Sequence, residues 1–210
     1  MTAKHAFQPA AFVSEVTYLQ EETVERWHSC EPDNPYTGLL STVCQQHQFN
    51  FLLWHEEDIA RSHNVSDERI ARVKRAIDGY NQQRNDWIER IDEALIAKFS
   101  ELGIKPVVGA RINTETPGSA IDRLSIMSLR VYHLKEQLDR ADVDQEHLNK
   151  VRERLARCSI QQEDLSDSLE ELLEDLVAGR KLLKVYRQMK MYNDPTLNPY
   201  LYGEQPREAA

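Results

Sequence analysis

Glycine and proline are scarce in this chain, at 7 and 8 of 210 residues. That scarcity excludes turn-rich, strand-dense architectures and favours long uninterrupted helices. Cysteine is scarcer still. Cys30, Cys44 and Cys158 form an odd set with no close pair, which argues against a disulfide framework or a zinc knuckle. No apolar run approaches the roughly 20 residues of a membrane span. The opening MTAKHAFQPAAF lacks the apolar core of a secretory signal. A cytoplasmic protein with no membrane span is therefore expected. Positive charge is also short, with 26 Lys and Arg against 35 Asp and Glu and a net charge of -9. A general nucleic-acid or anionic-membrane surface is thus disfavoured. There is no Gly-x-x-x-x-Gly-Lys phosphate loop and no Gly-x-Ser-x-Gly elbow, and no cofactor is expected.

What remains is helix. Phe12, Val16, Leu19, Thr23 and Trp27 share one face from about residue 9 to residue 28. After the breaker CEPDNPYTG a second helix runs to about Ser62. Ser66 reads as the N-cap of a third, which continues to about Leu102 before Gly103. Val107 and Val108 suggest a short strand. Thr116 before Pro117 reads as the N-cap of a fourth helix ending near Arg140. From Leu148 the apolar positions alternate by three and four through Leu155, Leu169, Leu176 and Leu183 to Tyr186, a heptad seam. It predicts one helix over residues 143–192, roughly 75 Å long at ~1.5 Å per residue, unless Gly179 bends it. A helix so long predicts a homodimer packed through it. The expected fold is an all-α bundle of about five helices with a very long C-terminal helix. Residues 1–203 make a single domain and 204–210 a disordered tail.

Polar residues interrupt these apolar stripes. His47, Asn50, Trp54, Asp58 and Arg61 share a face of the second helix, flanked by His55 and Glu57. Arg84 sits alone on the apolar stripe of the third. Arg123, Ile126, Arg130 and His133 align on the fourth, with Asp122 beside them, and Lys190 and Asn193 continue the C-terminal seam. Buried charges are costly unless they meet each other or a ligand. They form either a structural network that sets helix register or an internal pocket for an anionic small molecule. In the pocket reading Arg61, Arg84, Arg123, Arg130, Lys190 and Asn193 hold the anion. His55 or His133 is the acid/base group, oriented by Glu57 or Asp58.

The alternatives are a non-catalytic adaptor dimer and a metal-dependent bundle enzyme. For the latter, Glu25, His28, His55 and Asp58 are the candidate ligands. Five carboxylate–histidine pairs stand three apart, but seven histidines among 35 acidic residues in 210 give about two such pairs by chance. Only Glu25-x-x-His28 has the di-metal orientation, so no metal is expected. Finally, Thr116, Gly118, Ser119 and Asp122 at the start of the fourth helix are candidate ligand contacts, the first three offering hydroxyls and free amides to an anion. Asp122 can instead close an ordinary capping box with Ser119.

NPY (34–36), WHEEDIAR (54–61), RAIDGYNQQRNDWIERID (75–92), NTETPGSAIDRLSIMSLRVYHLKEQ (113–137) and VYRQMKMYNDPTLNPYLYG (185–203) together resemble the bacterial domain-of-unknown-function family 4254. The family's Trp-His-x-Glu-Asp falls on Trp54, His55, Glu57 and Asp58, its Asp-Arg-Leu-Ser on Asp122 to Ser125, and its Lys-Met-Tyr-Asn-Asp on Lys190 to Asp194. Its frequent Lys is Arg130 here, and its Ser-Pro-Ala is Thr116-Pro117-Gly118. The resemblance implies a shared polar cluster without supplying a reaction. Its members' association with cell-envelope polysaccharide synthesis favours a phosphorylated sugar or nucleotide sugar as the ligand.

Overall fold

A computed structural model describes residues 6–191 and 194–202. Five long helices carry the fold: α1 Pro9–Trp27, α2 Gly38–Ala60, α3 Asp67–Glu101, α4 Pro117–Leu138 and α5 Gln145–Val177. A short α6 spans Pro199–Tyr202, and β1 Arg111–Ile112 pairs in parallel with β2 Lys181–Leu182. The all-α class is as expected, and the first four long helices fall within about two residues of their predicted bounds. Local chemistry explains their starts. The Ser66 hydroxyl accepts from the Arg69 N–H at 3.3 Å, and Thr116 accepts from the Ser119 N–H at 3.2 Å, each satisfying an amide that the first turn leaves orphaned.

The very long C-terminal helix is a correction. α5 stops at Val177, and the longest helix is α3, with 35 residues against 33 for α5. Gly179 ends α5 at φ +72, and a Cβ there would stand 2.6 Å from the Lys105 carbonyl oxygen. The chain turns out of the helix at a left-handed residue, as glycine permits. The Gly179 carbonyl then receives the Val107 N–H at 3.0 Å. Residues 183–190 adopt no regular secondary structure, and Arg187 ties this segment to Glu89 at 2.8 Å and to Glu93 on α3. The strand expected at Val107 and Val108 forms instead at Arg111–Ile112. The expected tail at 204–210 lies outside the described residues.

α4 is the hub, packing on each of the other long helices. Its sequence is apolar over most of its circumference, which a central helix requires. Ile121, Leu124 and Leu129 meet Val16 and Leu19 of α1, Val43 of α2, Ile91 and Leu95 of α3, and Leu169 and Leu173 of α5 in one core. The heptad seam of α5 is thus buried within its own chain, against α4 and α1. None of the helices is long and apolar enough to cross a membrane among the described residues.

Candidate functional site

The polar residues of α2 and α4 meet inside the bundle. The Asp122 carboxylate, 4% exposed, points at α2 and α3. Its Oδ1 accepts from Gln46 Nε2 at 2.6 Å, Asn50 Nδ2 at 2.9 Å and Arg84 Nε at 2.7 Å. Its Oδ2 accepts from Arg84 Nη2. The fork-on-fork pairing is the strongest form of this interaction. One turn on, Ser125 Oγ accepts from Asn50 at 2.8 Å and meets His47 Nδ1 at 2.6 Å. The Ser125–His47 bond can run in either direction, since the hydroxyl has a proton to give and a second lone pair to accept with. His47 is wholly buried and stacks on Trp27 at 5.2 Å. Burial drives its pKa down to about 3, with the Gln20 backbone offsetting part of the shift. No acceptor meets hydrogen-bond geometry at Nε2.

A pocket of about 450 Å³ opens above this network. α2 contributes Asn50, Leu53, Trp54, Glu57, Asp58 and Arg61, α3 contributes Asn81 and Arg84, and α4 contributes Ile126 and Leu129. Arg84 joins the buried network to the pocket wall. Arg61 is salt-bridged to Glu57 at 2.9 Å on the exposed end of α2. The other expected anion holders are elsewhere. Arg123 is exposed and paired with Glu115 at 2.8 Å. With Arg130 it lines a separate groove toward α5, beside Asp164. Lys190 lies in the segment after β2, and Asn193 is outside the described residues. The single pocket drawn from the sequence is therefore at least two surfaces.

The α4 N-terminus is filled by the chain itself. Asp92 of α3 accepts from the Gly118 N–H at 2.8 Å, and Thr116 accepts from Ser119. Asp122 is drawn into the network with Arg84, so it does not close a capping box on Ser119. A Cβ on Gly118 would stand 2.5 Å from the Ile88 carbonyl oxygen and 3.0 Å from the Asp92 carboxylate. Gly118→Ala should therefore cost about 1–3 kcal/mol through overpacking, measured by urea unfolding. Burial pushes the Asp92 carboxyl up to about 6, against the restraint of Thr116 and the Gly118 N–H. Asp92 was not anticipated, although it stands beside Ile91 on an apolar face.

Three histidines from three helices form the other cluster. His28 ends α1, His55 lies on α2 and His133 on α4, and one ring nitrogen from each lies within 4.8 Å of the others. The packing is aromatic. His28 stacks on Tyr132 at 4.1 Å, and His133 stacks on Trp54 at 5.0 Å. His28 Nδ1 stands 2.6 Å from the Val24 carbonyl, and His133 Nδ1 stands 2.6 Å from a Glu136 carboxylate oxygen. Burial lowers the pKa of His55, and the charges of His28 and His133 lower it further. The two alternative acid/base candidates, His55 and His133, thus lie in one cluster, joined by His28. Glu25 and Asp58, named beside His28 and His55 as metal candidates, are not in the cluster. Cys44 is buried, and its thiol is pushed up to about 12, which leaves it unreactive.

A family model described as "Protein of unknown function (DUF4254)" matches residues 40–185. That span takes in α2 to α5 and begins after α1. No curated protein and no solved structure matches the chain.

Proposed function

The chain belongs to the DUF4254 family, and from that premise we propose that it binds a small, polar, uncharged molecule in the pocket between α2, α3 and α4. The observation that carries this is the self-pairing of the pocket's charges. Arg84 is engaged on two edges by the buried Asp122, and Arg61 pairs with Glu57 at the exposed end of α2, so each guanidinium lining the pocket already faces a carboxylate of the chain. Asp58 on the wall adds a further negative charge. The Asn81 amide offers donors and an acceptor, and Asn50, whose NH2 group is taken up by Asp122 and Ser125, adds only its oxygen, beside an apolar wall of Leu53, Ile126 and Leu129. A cavity of about 450 Å³ lies in the range of small-molecule sites. A hydroxyl-rich ring such as a hexose suits this lining. A phosphorylated sugar or nucleotide sugar would need cations not already engaged. Neither His55 nor His133 lines the pocket, so binding is proposed here and proton transfer is not.

Saturation-transfer NMR with glucose and glucose 6-phosphate tests the reading. Glucose should receive saturation from the wild type and lose it in Asn81→Leu, and the phosphate should add nothing. Tighter binding of the phosphorylated form, abolished in Arg61→Gln, would restore the anionic reading. No transfer to either sugar would overturn the pocket and leave the charges as a register-setting network.

A further inference from the structure

We propose that His28, His55 and His133 form a three-histidine site for a divalent late transition metal such as zinc. This goes beyond the pocket reading and does not rest on it.

The hydrogen bonds at the cluster fix two of the rings. The Val24 carbonyl can only accept, so His28 carries its proton on Nδ1. The Glu136 carboxylate also accepts, so His133 carries its proton on Nδ1. In both neutral rings the lone pair then sits on Nε2. Both Nε2 atoms are buried and have no hydrogen-bond partner. A buried acceptor without a donor is costly, and two together in one cluster with a third imidazole ask for a common partner. A metal ion satisfies both at once. Metal-bound histidines characteristically donate their other N–H to a carbonyl or carboxylate, which sets ring orientation and raises ligand basicity. Val24 and Glu136 already stand in those places.

The donor set selects the metal. Three neutral imidazoles suit zinc, copper, nickel or cobalt and disfavour magnesium or calcium. Tetrahedral coordination at ~2.0–2.1 Å brings ligand nitrogens to roughly 3.3 Å apart. One ring nitrogen of each histidine already lies within 4.8 Å of the other two, and the farthest pair must close by up to ~1.5 Å to reach that spacing. Three protein ligands leave a fourth position for water or a substrate, the pattern of catalytic rather than structural sites. The groove between α1 and α4 offers an approach. It contains Tyr132, which stacks on His28, and sets Glu21, Glu22, Glu25, Glu136 and Asp139 against Lys135. That field favours entry of a cation.

The competing account is an aromatic knot in which the rings only pack. Untagged protein, stripped by chelator, would be titrated with Co²⁺ and then Zn²⁺. One Co²⁺ per chain is expected, with the intense visible bands of four-coordinate cobalt, displaced by Zn²⁺. Zn²⁺ should also raise the melting temperature, since it binds only the folded chain. His28→Gln, His55→Gln and His133→Gln should each remove the bands, and His63→Gln, in the exposed loop after α2, should not. Glu136→Gln should keep the stoichiometry and weaken binding ~10–100-fold. Should one histidine variant fail to fold by circular dichroism, the other two and the wild-type melt still decide. Absence of saturable cobalt uptake by the wild type, or uptake retained in the histidine variants, overturns the site. Sugar binding by the pocket would stand in either case.

Discussion

Arg84→Met should destabilise the fold by about 3–5 kcal/mol, the cost of leaving one member of a buried ion pair without its partner. Among the described residues, Asp122 has Arg84 as its hydrogen-bonding cation. Its other donors, Gln46 and Asn50, are neutral amides, and the carboxylate is 4% exposed. In a domain of this size such a loss lowers the melting temperature by on the order of 10 °C. Adding Asp122→Asn to Arg84→Met should recover part of it. The asparagine oxygen still accepts from Gln46 and Asn50, and no uncompensated charge remains. The double-mutant cycle isolates the pair, and chemical denaturation at neutral pH reads it. A loss below ~1 kcal/mol in the single variant would mean that water from the pocket already solvates Asp122. The outcome bears on function. A rigid, fully bonded floor preorganises the Asn50 and Arg84 faces that line the pocket, whereas a hydrated one does not.

The residues that were legible in the sequence act locally. Ser66 and Thr116 cap the helices they precede because a hydroxyl reaches an amide three residues on, and nothing elsewhere in the fold is needed. The inward turn of His47, Asn50 and Arg84 also followed from helical periodicity. Features that depend on packing between helices were not legible. The seam from Leu148 counts through Gly179 without a break, yet Gly179 stops α5, and the Lys105 carbonyl that crowds it comes from the loop after α3. Asp122 reads in the sequence as a capping residue or a ligand contact, and only the packing of α3 against α4 pairs it with Arg84. Within one helix, a histidine's carboxylate neighbours three residues away are what the sequence displays. His28, His55 and His133 are instead brought together across α1, α2 and α4, and no spacing within one helix records that.

Two buried titrating groups should hide each other in the acid range. His47 is held near 3 against an ordinary 6.5. As pH falls below 6.5 the unfolded chain takes up a proton that the folded one refuses, so stability is lost progressively. The full loss is ~4–5 kcal/mol by pH 3, at ~1.4 kcal/mol per unit. Asp92 runs the other way. Its folded value is about 6 against an ordinary 3.8, so its stabilising contribution is fully present below 3.8. That contribution is lost as pH rises through 6, amounting to ~3 kcal/mol. Between about pH 4 and 6 the two slopes nearly cancel, and these groups give the wild type a flat profile there. Asp92→Asn should expose the histidine. The amide oxygen still accepts from the Gly118 N–H, so the variant should be more stable than wild type at pH 8, by up to ~3 kcal/mol. Its stability should then begin to fall near pH 6.5, and by pH 4.5 it should have lost ~2–3 kcal/mol relative to its own value at pH 7. Surface carboxylates contribute alike to both proteins, so the difference between the two curves isolates Asp92. The NMR signals of the His47 ring supply a separate check, since they should not titrate in the folded protein down to about pH 4. A variant whose curve runs parallel to the wild type would show that Asp92 is already ionised at low cost at the α4 N-terminus. A His47 ring titrating near its ordinary value would show that the core around Ser125 opens to solvent.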